Sequence, residues 1–237
     1  MIEHLPLYIA LVFGLTTMLT LLLVYWTMRN SALHATKHKA VTVTILITFW
    51  LIIQAVISLR NIYSESTDAM PPRLFLFGVL PALITIALLF ITSGGRRFVD
   101  SLPLKNITYL NIVRIPVEVV LFWLFVNKAV PKLMTFEGRN FDILSGITAP
   151  FVAYFGFTKQ TLGRRVVLIW NFICLALLMN VVVHALLSVP TPIQRLAFDQ
   201  PNIAVLHFPF VWLPVFIVPV VLFGHLVSIR QLARNNS

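Results

Sequence analysis

Residues 6–27 read PLYIALVFGLTTMLTLLLVYWT, a stretch without a single charged side chain. An α-helix rises about 1.5 Å per residue, so this run is long enough to cross a hydrocarbon layer of about 30 Å. Six further apolar runs follow, at about 41–59, 74–92, 107–130, 143–158, 166–188 and 203–229. The sequence therefore predicts an all-α, polytopic transmembrane helical bundle of about seven spans, formed as a single domain over residues 1–237.

The composition agrees with a lipid environment. The chain is 59% hydrophobic and 11% charged, whereas soluble domains carry roughly 25% charged residues. The formal net charge is +10, but no long basic run exists, which argues against a nucleic-acid partner. Basic residues between apolar runs instead predict contacts with anionic headgroups of membrane lipids at the cytoplasmic loops. The one cysteine, Cys174, lies inside an apolar run and is interpreted as a packing residue.

The basic residues are distributed unevenly between alternate loops. Eleven of them fall in one set of loops and six in the other, and positive charge favours the cytoplasmic side. This bias predicts an N-terminus outside and a cytoplasmic C-terminus. The first set is Arg29, Lys37, Lys39, Arg96, Arg97, Lys105, Lys159, Arg164, Arg165, Arg230 and Arg234.

The fourth run contains two charged residues and reads NIVRIPVEVVLFWLF over residues 111–125. Arg114 and Glu118 are four residues apart and Asn111 lies three before Arg114, so the three share a helix face. A lone charge near the bilayer midplane costs about 3 kcal/mol or more on insertion scales, so we expect Arg114 to pair with Glu118. Two interpretations stay open: a neutralised pair that locks the helix, or a site for a solute or proton.

Two other spans offer groups that could complete a polar cavity reached from outside. Gln54 and Ser58 share a face of the second span, and Asn61 continues that face outward. In the seventh run, prolines recur at every fifth residue, at Pro209, Pro214 and Pro219. Each proline removes a backbone hydrogen bond, so this helix is predicted to bend, either around a cavity or as a tolerated kink.

Two histidines are predicted at matching depths near the outer ends of the sixth and seventh spans. His184 and His207 are expected to approach each other because their spans are joined by a short connection. With Asn180 or Asp199 they would form a pH-sensitive hydrogen-bonded cluster, although ordinary separate histidines are the competing interpretation. Without a Cys or carboxylate motif, the sequence predicts no metal site and no cofactor.

The predicted outer loops are unusually rich in mixed charge. TFEGRNFDILSG at 135–146 and PTPIQRLAFDQPN at 190–202 combine acidic, basic and aromatic side chains. They form either a salt-bridged cap at the interface or an outward-facing ligand pocket. The candidate ligand-binding residues in these loops are Glu137, Arg139, Asn140, Asp142 and Asp199.

No catalytic template is found, including HExxH, GxSxG, a Walker loop or a Rossmann fingerprint. The function predicted first is therefore a small-solute-binding transporter or sensor with a polar site at Arg114 and Glu118, open to the outside and taking a small polar or anionic ligand. The alternatives are an intramembrane enzyme acting on lipid or isoprenoid, with Glu118 or loop carboxylates as acid and base, and a non-catalytic partner in a membrane protein complex.

Three stretches carry a resemblance. RIPVEVVLFWLF at 114–125, MTFEGRNFDILSGITAPF at 134–151 and AFDQPNIAVLHFPFVWLP at 197–214 are similar to an uncharacterised group of bacterial integral membrane proteins. The resemblance covers most of the chain from the fourth span onward. It implies a multi-pass protein of the bacterial inner membrane and implies no mechanism.

Overall fold

The computed structural model describes residues 2, 5–65 and 67–234, and within these the chain is helical without a strand. The all-α prediction is confirmed. The helices, in chain order, are α1 (Leu7–Arg29), α2 (His34–Leu59), α3 (Leu80–Ile91), α4 (Ser93–Ser101), α5 (Leu104–Leu110), α6 (Arg114–Val126), α7 (Ile143–Ala153), α8 (Arg164–Ser188) and α9 (Val218–Arg234).

Shorter turns of other helix types extend several of these elements. π-helical turns lead into α3 at Phe75–Val79, follow α7 at Tyr154–Thr158, and lead into α9 at Leu213–Ile217. A 3₁₀ turn, Asn111–Val113, joins α5 to α6. Two separate 3₁₀ turns, Lys132–Met134 and Ala204–Leu206, lie in the long connections.

Five helical segments of the described chain are long and apolar enough to cross a membrane: Leu7–Arg29, His34–Leu59, Leu104–Val126, Arg164–Ser188 and Leu213–Arg234. A sixth is reached if Phe75–Ile91 and α4, which are bent by 91°, count as one span. The fifth apolar run forms only the shorter helix Ile143–Thr158. The chain is therefore a multi-helix protein with the character of a membrane protein, and the number seven stays a prediction.

The seventh span begins later than its apolar run indicated. We predicted a span over 203–229, but the helical segment is Leu213–Arg234. Pro209 lies in a turn before this helix, Pro214 in its first π-helical turn and Pro219 near the start of α9. The prediction of one helix carrying three prolines is thus wrong, because Pro209 lies in the turn before the helix. A proline in a helix interior costs a backbone hydrogen bond, whereas a turn accommodates it.

Hydrogen bonds gather the loops at two ends of the bundle. At one end, which we call the basic end, Ser31 Oγ donates to Ser101 Oγ at 2.8 Å and Arg164 Nη2 donates to the carbonyl of Gln231 at 2.9 Å. At the opposite end, Ser58 Oγ donates to the Leu206 carbonyl at 2.9 Å, and the backbone N–H of Asn202 donates to the Ser188 carbonyl. Successive long helices therefore run in alternating directions.

Helix α4 lies at the basic end and is bent away from α3. Thr92 Oγ1 caps it by accepting from the Gly95 amide at 3.1 Å. A Cβ at Gly95 would lie 2.5 Å from the Leu89 carbonyl oxygen, so only glycine allows this close approach. At its far end Asp100 accepts from Arg230 at 2.8 Å, and that hydrogen bond, ahead of other causes, holds the pKa of Asp100 below its ordinary value.

Candidate functional site

The break between α5 and α6 places the charged residues of the fourth span. Pro116 has no N–H to donate, so the regular bond to the Ile112 carbonyl one turn earlier cannot form. The preceding turn, Asn111–Val113, tightens into a 3₁₀ helix, a form often seen within helices at functional hinges. Arg114 follows directly, with its side chain inside the bundle and only 2% of its surface exposed.

Every N–H group of the Arg114 guanidinium is used. Nε donates to Asp142 Oδ2 at 2.6 Å and Nη2 donates to Asp142 Oδ1, a bidentate arrangement. Nη2 also donates to the Cys174 carbonyl at 3.0 Å. Nη1 donates to Asn111 Oδ1 at 3.2 Å and lies 3.0 Å from His225 Nε2. Because a guanidinium has five N–H donors, none is left for an anion in this structure.

The predicted ion pair between Arg114 and Glu118 is wrong, since the partner of Arg114 is Asp142. Side chains on an α-helix point toward its N-terminus, so Arg114 is directed back toward Asn111. Asp142 precedes α7 and meets the guanidinium there, offering two oxygens in the geometry that the arginine fork fits. A spacing of four residues brought Glu118 onto the same face without making it the better partner.

Glu118 is instead held by the loop before α7. Asn140 Nδ2 donates to Glu118 Oε1 at 2.5 Å and to the Met134 carbonyl at 3.0 Å. Asn140 Oδ1 accepts from the backbone amide of Asp142 at 3.0 Å. Glu118 is 1% exposed, and its second oxygen, Oε2, makes no hydrogen bond with the described part of the chain.

The ninth and eighth helices close the cluster from the other side. His225 is 0% exposed, and its Nδ1 lies 3.0 Å from Asn171 Oδ1. Asn171 Nδ2 donates to the Val167 carbonyl at 2.9 Å, which assigns Oδ1 as the acceptor toward His225. Nδ1 of His225 therefore carries the proton, and Nε2 accepts from Arg114. These contacts favour a neutral imidazole with one defined tautomer.

Helix α7 approaches this cluster closely because of one glycine. A Cβ at Gly146 would lie 2.7 Å from Ile115 Cγ1 and 3.1 Å from the Ile115 amide nitrogen. Gly146 is one helical turn beyond Asp142, so the contact with α6 and the ion pair with Arg114 lie on the same face. A larger residue at 146 would move Asp142 away from the guanidinium.

Together these residues form what we call the Arg114 cluster, which joins α6, α7, α8 and α9. Its members are Asn111, Arg114, Glu118, Asn140, Asp142, Asn171 and His225, each at most 6% exposed. Two predicted loop ligands, Asn140 and Asp142, thus belong to the site predicted in the fourth span. The side chains of this cluster are buried in this structure, and the opening to the outside stays a prediction.

Gln54 and Ser58 lie in a different place. Gln54 Nε2 donates to the Phe77 carbonyl at 3.1 Å, and its Oε1 accepts from the Tyr63 hydroxyl at 2.7 Å. Burial raises the pKa of Tyr63 to about 12, so its hydroxyl stays a donor at neutral pH. Ser58 donates to the Leu206 carbonyl. These bonds tie α2 to the segments beside it, and none of them reaches Arg114.

The remaining loop candidates stay at the surface. Glu137, Arg139 and Asp199 are exposed, and their side chains make no ion pair or hydrogen bond within residues 5–65 and 67–234. Arg139 bonds through its backbone: its amide donates to the Leu133 carbonyl at 3.3 Å, and its carbonyl accepts from Asn180 Nδ2 at 2.8 Å. The structure does not bring these three side chains into the Arg114 cluster.

The two histidines at the opposite end are not joined by a hydrogen bond in the described chain. His184 Nδ1 lies 2.8 Å from the Asn180 carbonyl of its own helix, so the ring donates there. His207 Nδ1 is buried and makes no bond with the described residues, and burial lowers the pKa of His207. His207 lies outside the seventh span, in the connection that we had predicted to be helical, so the predicted cluster is not formed.

Sequence reasoning missed two members of the site, Asn171 and His225. Each is a polar residue within an apolar run, Asn171 in LIWNFICL (168–175) and His225 in LFGHLV (222–227). Polar residues at membrane depth face the bundle interior in most proteins, and that rule would have selected both. Which of them meets Arg114 depends on helix rotation, which the sequence pattern leaves open.

The fold and the site define a class: an all-helical protein with several membrane-length apolar helices and a buried polar cluster that contains one complete ion pair. Residues 71–233 match the family described as Domain of unknown function (DUF8737), and the chain belongs to this family. The matched region contains every residue of the Arg114 cluster. No curated protein and no solved structure matches the chain.

Proposed function

We propose that this chain is a multi-pass membrane protein that transports or senses a small polar solute, with Glu118 as the group that exchanges a proton or binds the solute. The observation that carries the proposal is the Glu118 carboxyl, which is 1% exposed and has one oxygen without a partner among the described residues. A carboxyl at this depth is costly when it is ionised and unpaired.

The cation nearest in sequence does not remove that cost. Arg114 is fully engaged by Asp142, Asn111, His225 and a backbone carbonyl, so the positive charge is already matched by the Asp142 carboxylate. Among the described residues, the Glu118 carboxyl bonds only to the side-chain amide of Asn140. A carboxyl in this position therefore takes up a proton, or an additional polar or cationic group must come to Oε2.

The connections of Glu118 provide a route from its charge to the helices. Asn140 bonds both to Glu118 and, through the Asp142 amide, to the residue that holds Arg114. Arg114 in turn contacts α8 at Cys174 and α9 at His225. A change of charge at Glu118 acts on Asn140 first and then on the ion pair that joins four helices, as a buried charge switch requires.

The matched variants Glu118→Gln and Glu137→Gln test this proposal. The glutamine side chain in E118Q keeps the shape and the contact with Asn140 but cannot take up a proton, whereas Glu137 is exposed. In infrared pH titrations we expect the wild type to show a buried carboxylic acid band that is lost in E118Q and kept in E137Q. In proteoliposomes with an entrapped pH-sensitive dye, E118Q should also lose proton exchange under an imposed pH gradient.

The opposite result would have a clear form. If E118Q gives the wild-type band and the wild-type dye response, Glu118 neither holds nor exchanges a proton, and the proposed role is wrong. If E137Q loses both signals together with E118Q, the effect does not come from the buried site.

We also propose that the protein crosses a bacterial inner membrane seven times, with its basic end in the cytoplasm. Of the eleven Lys and Arg residues of the first loop set, Arg230 bonds to Asp100 and Arg164 bonds to the Gln231 carbonyl at that end. Positive charge is retained on the cytoplasmic side of inner membranes. Reporter fusions in each loop should give alternating signals, and a cytoplasmic signal from the loop at 133–142 would contradict this topology.

A further inference from the structure

A large cavity lies on the other side of the bundle from α7, between α2 and α3. Its volume is about 1010 Å³, at the upper end of the range for small-molecule sites. Its walls come from α1, α2, α3, α4, α5, the π-helical turn Leu213–Ile217 and the beginning of α9. Representative lining residues are Val43, Trp50, Ile86, Phe98, Val215 and Phe223. We call it the α2–α3 cavity.

The wall of the α2–α3 cavity is apolar because its polar groups are used by the protein. Thr27 and Thr85 donate to carbonyls of their own helices at 2.8 Å. The Trp50 Nε1 donates to the Val215 carbonyl at 3.2 Å. The part of the lining that the described residues form contains no Asp or Glu. The wall of the cavity therefore suits a hydrocarbon ligand and does not suit a polar solute.

The cavity opens sideways, toward the surface where lipid chains would lie. Leu46 on α2 lines the cavity and is 61% exposed, and Thr85 on α3 lines it and is exposed as well. Helix α2 packs on α1, and α3 packs on α9 and α4. The exposed lining residues place the opening of the cavity between α2 and α3.

Two cations mark one end of this opening. Lys39 and Arg97 are the charged residues of the lining, and both are exposed at the basic end. Neither forms an ion pair or a side-chain hydrogen bond with any residue in the described ranges. Arg97 is held at the mouth because α4 is capped by Thr92 and anchored through Ser101 and Asp100.

We infer that the α2–α3 cavity binds an anionic phospholipid, with an acyl chain between α2 and α3 and the phosphate group against Lys39 and Arg97. An apolar slot open to the bilayer fits the chain, and two unpaired cations at the level of the headgroups fit the phosphate. This site is separate from the Arg114 cluster and does not depend on the role proposed for Glu118.

The test is native mass spectrometry of the full chain in detergent, titrated with phosphatidylglycerol or with phosphatidylcholine of the same chains. We expect one retained phosphatidylglycerol and weaker retention of phosphatidylcholine. The double variant Lys39→Gln/Arg97→Gln should weaken phosphatidylglycerol binding by on the order of tenfold or more. The control Lys37→Gln/Arg165→Gln removes the same charge at the same end outside the cavity lining and should retain wild-type binding.

A second pair of variants tests the position of the acyl chain. Ala82 lines the cavity on α3, whereas Ala87 is exposed on the same helix and is not part of the lining. Ala82→Phe should reduce retention of both lipids, and Ala87→Phe should not. Fluorescence of Trp50 should be quenched by phosphatidylglycerol with brominated chains, and the quenching should fall in A82F.

Three outcomes would overturn the inference. If K39Q/R97Q and K37Q/R165Q lose phosphatidylglycerol binding equally, the binding is a general attraction of anionic lipid to a basic surface. If A82F and A87F retain lipid equally, the acyl chain does not lie in the cavity. If the protein is a lipid-free dimer and A82F dissociates that dimer, the occupant of the cavity is a second copy of the chain.

Discussion

The two sides of this bundle use their interiors in opposite ways. Around Arg114, four helices meet through polar side chains that are almost entirely engaged, and Gly146 allows a contact that a single added methyl group would disturb. Between α2 and α3, the helices leave a space of about 1010 Å³ lined by apolar groups. The first side is suited to one defined arrangement, whereas the second accommodates an additional molecule or a larger side chain.

The difference follows from how the two kinds of interaction depend on geometry. Hydrogen bonds weaken steeply with angle and distance, so a buried cluster is stable only in a narrow set of positions. Apolar contact is non-directional and depends on the area of close contact, so it tolerates occupants of different shape. The proposed change of charge at Glu118 and the proposed lipid site therefore lie in regions that are packed in different ways.

The largest effect is expected from breaking the ion pair. Arg114→Gln leaves the Asp142 carboxylate buried without a cation, which costs about 3–5 kcal/mol when one partner of a buried pair is removed. Unfolding in mixed micelles, followed by tryptophan fluorescence, measures this loss. The control is Arg139→Gln, because Arg139 is exposed and makes no side-chain bond with the described residues.

A double variant separates charge from packing at the same position. Arg114→Gln/Asp142→Asn removes both charges, so much of the stability lost in R114Q should return. If R114Q alone unfolds like the wild type, or if the double variant loses the sum of two independent single losses, the ion pair does not hold the four helices together.

A smaller effect is expected from adding volume to each side. Ala149 on α7 is 0% exposed, and Ala149→Leu should destabilise the protein by about 1–3 kcal/mol through overpacking. Ala82→Leu adds the same atoms to the cavity lining and should change the free energy of unfolding by less than about 0.5 kcal/mol. Both values come from the same mixed-micelle unfolding experiment in delipidated protein. Equal losses would mean that the two sides are packed alike and that the comparison fails.

Much of the site was present in the sequence as a set of residues without their contacts. Arg114, Glu118 and Asn111 were selected because charged and polar groups are expensive in an apolar run, and Asn140 and Asp142 because their loop mixed both signs of charge. Helical spacing then favoured the wrong pair, Arg114 with Glu118. A separation of four residues places two side chains on one face, but it does not show whether a residue from another segment, here Asp142, is the better partner. The same rule, applied to the sixth and seventh runs, would also have selected Asn171 and His225, but it would not have shown that they meet Arg114.

The apolar runs by themselves determined that the chain is all-helical and has several membrane-length helices, because backbone groups in a long apolar segment must be satisfied within that segment. The distribution of basic residues predicted which loops share an end, and that assignment stays a prediction together with the number of spans. Only the tertiary structure decided that Arg114 pairs with Asp142, that Gln54 bonds to Tyr63 and Phe77, and that α2 and α3 enclose a cavity. The physical reason is that these contacts depend on the rotation and separation of neighbouring helices, and side-chain packing between segments sets both.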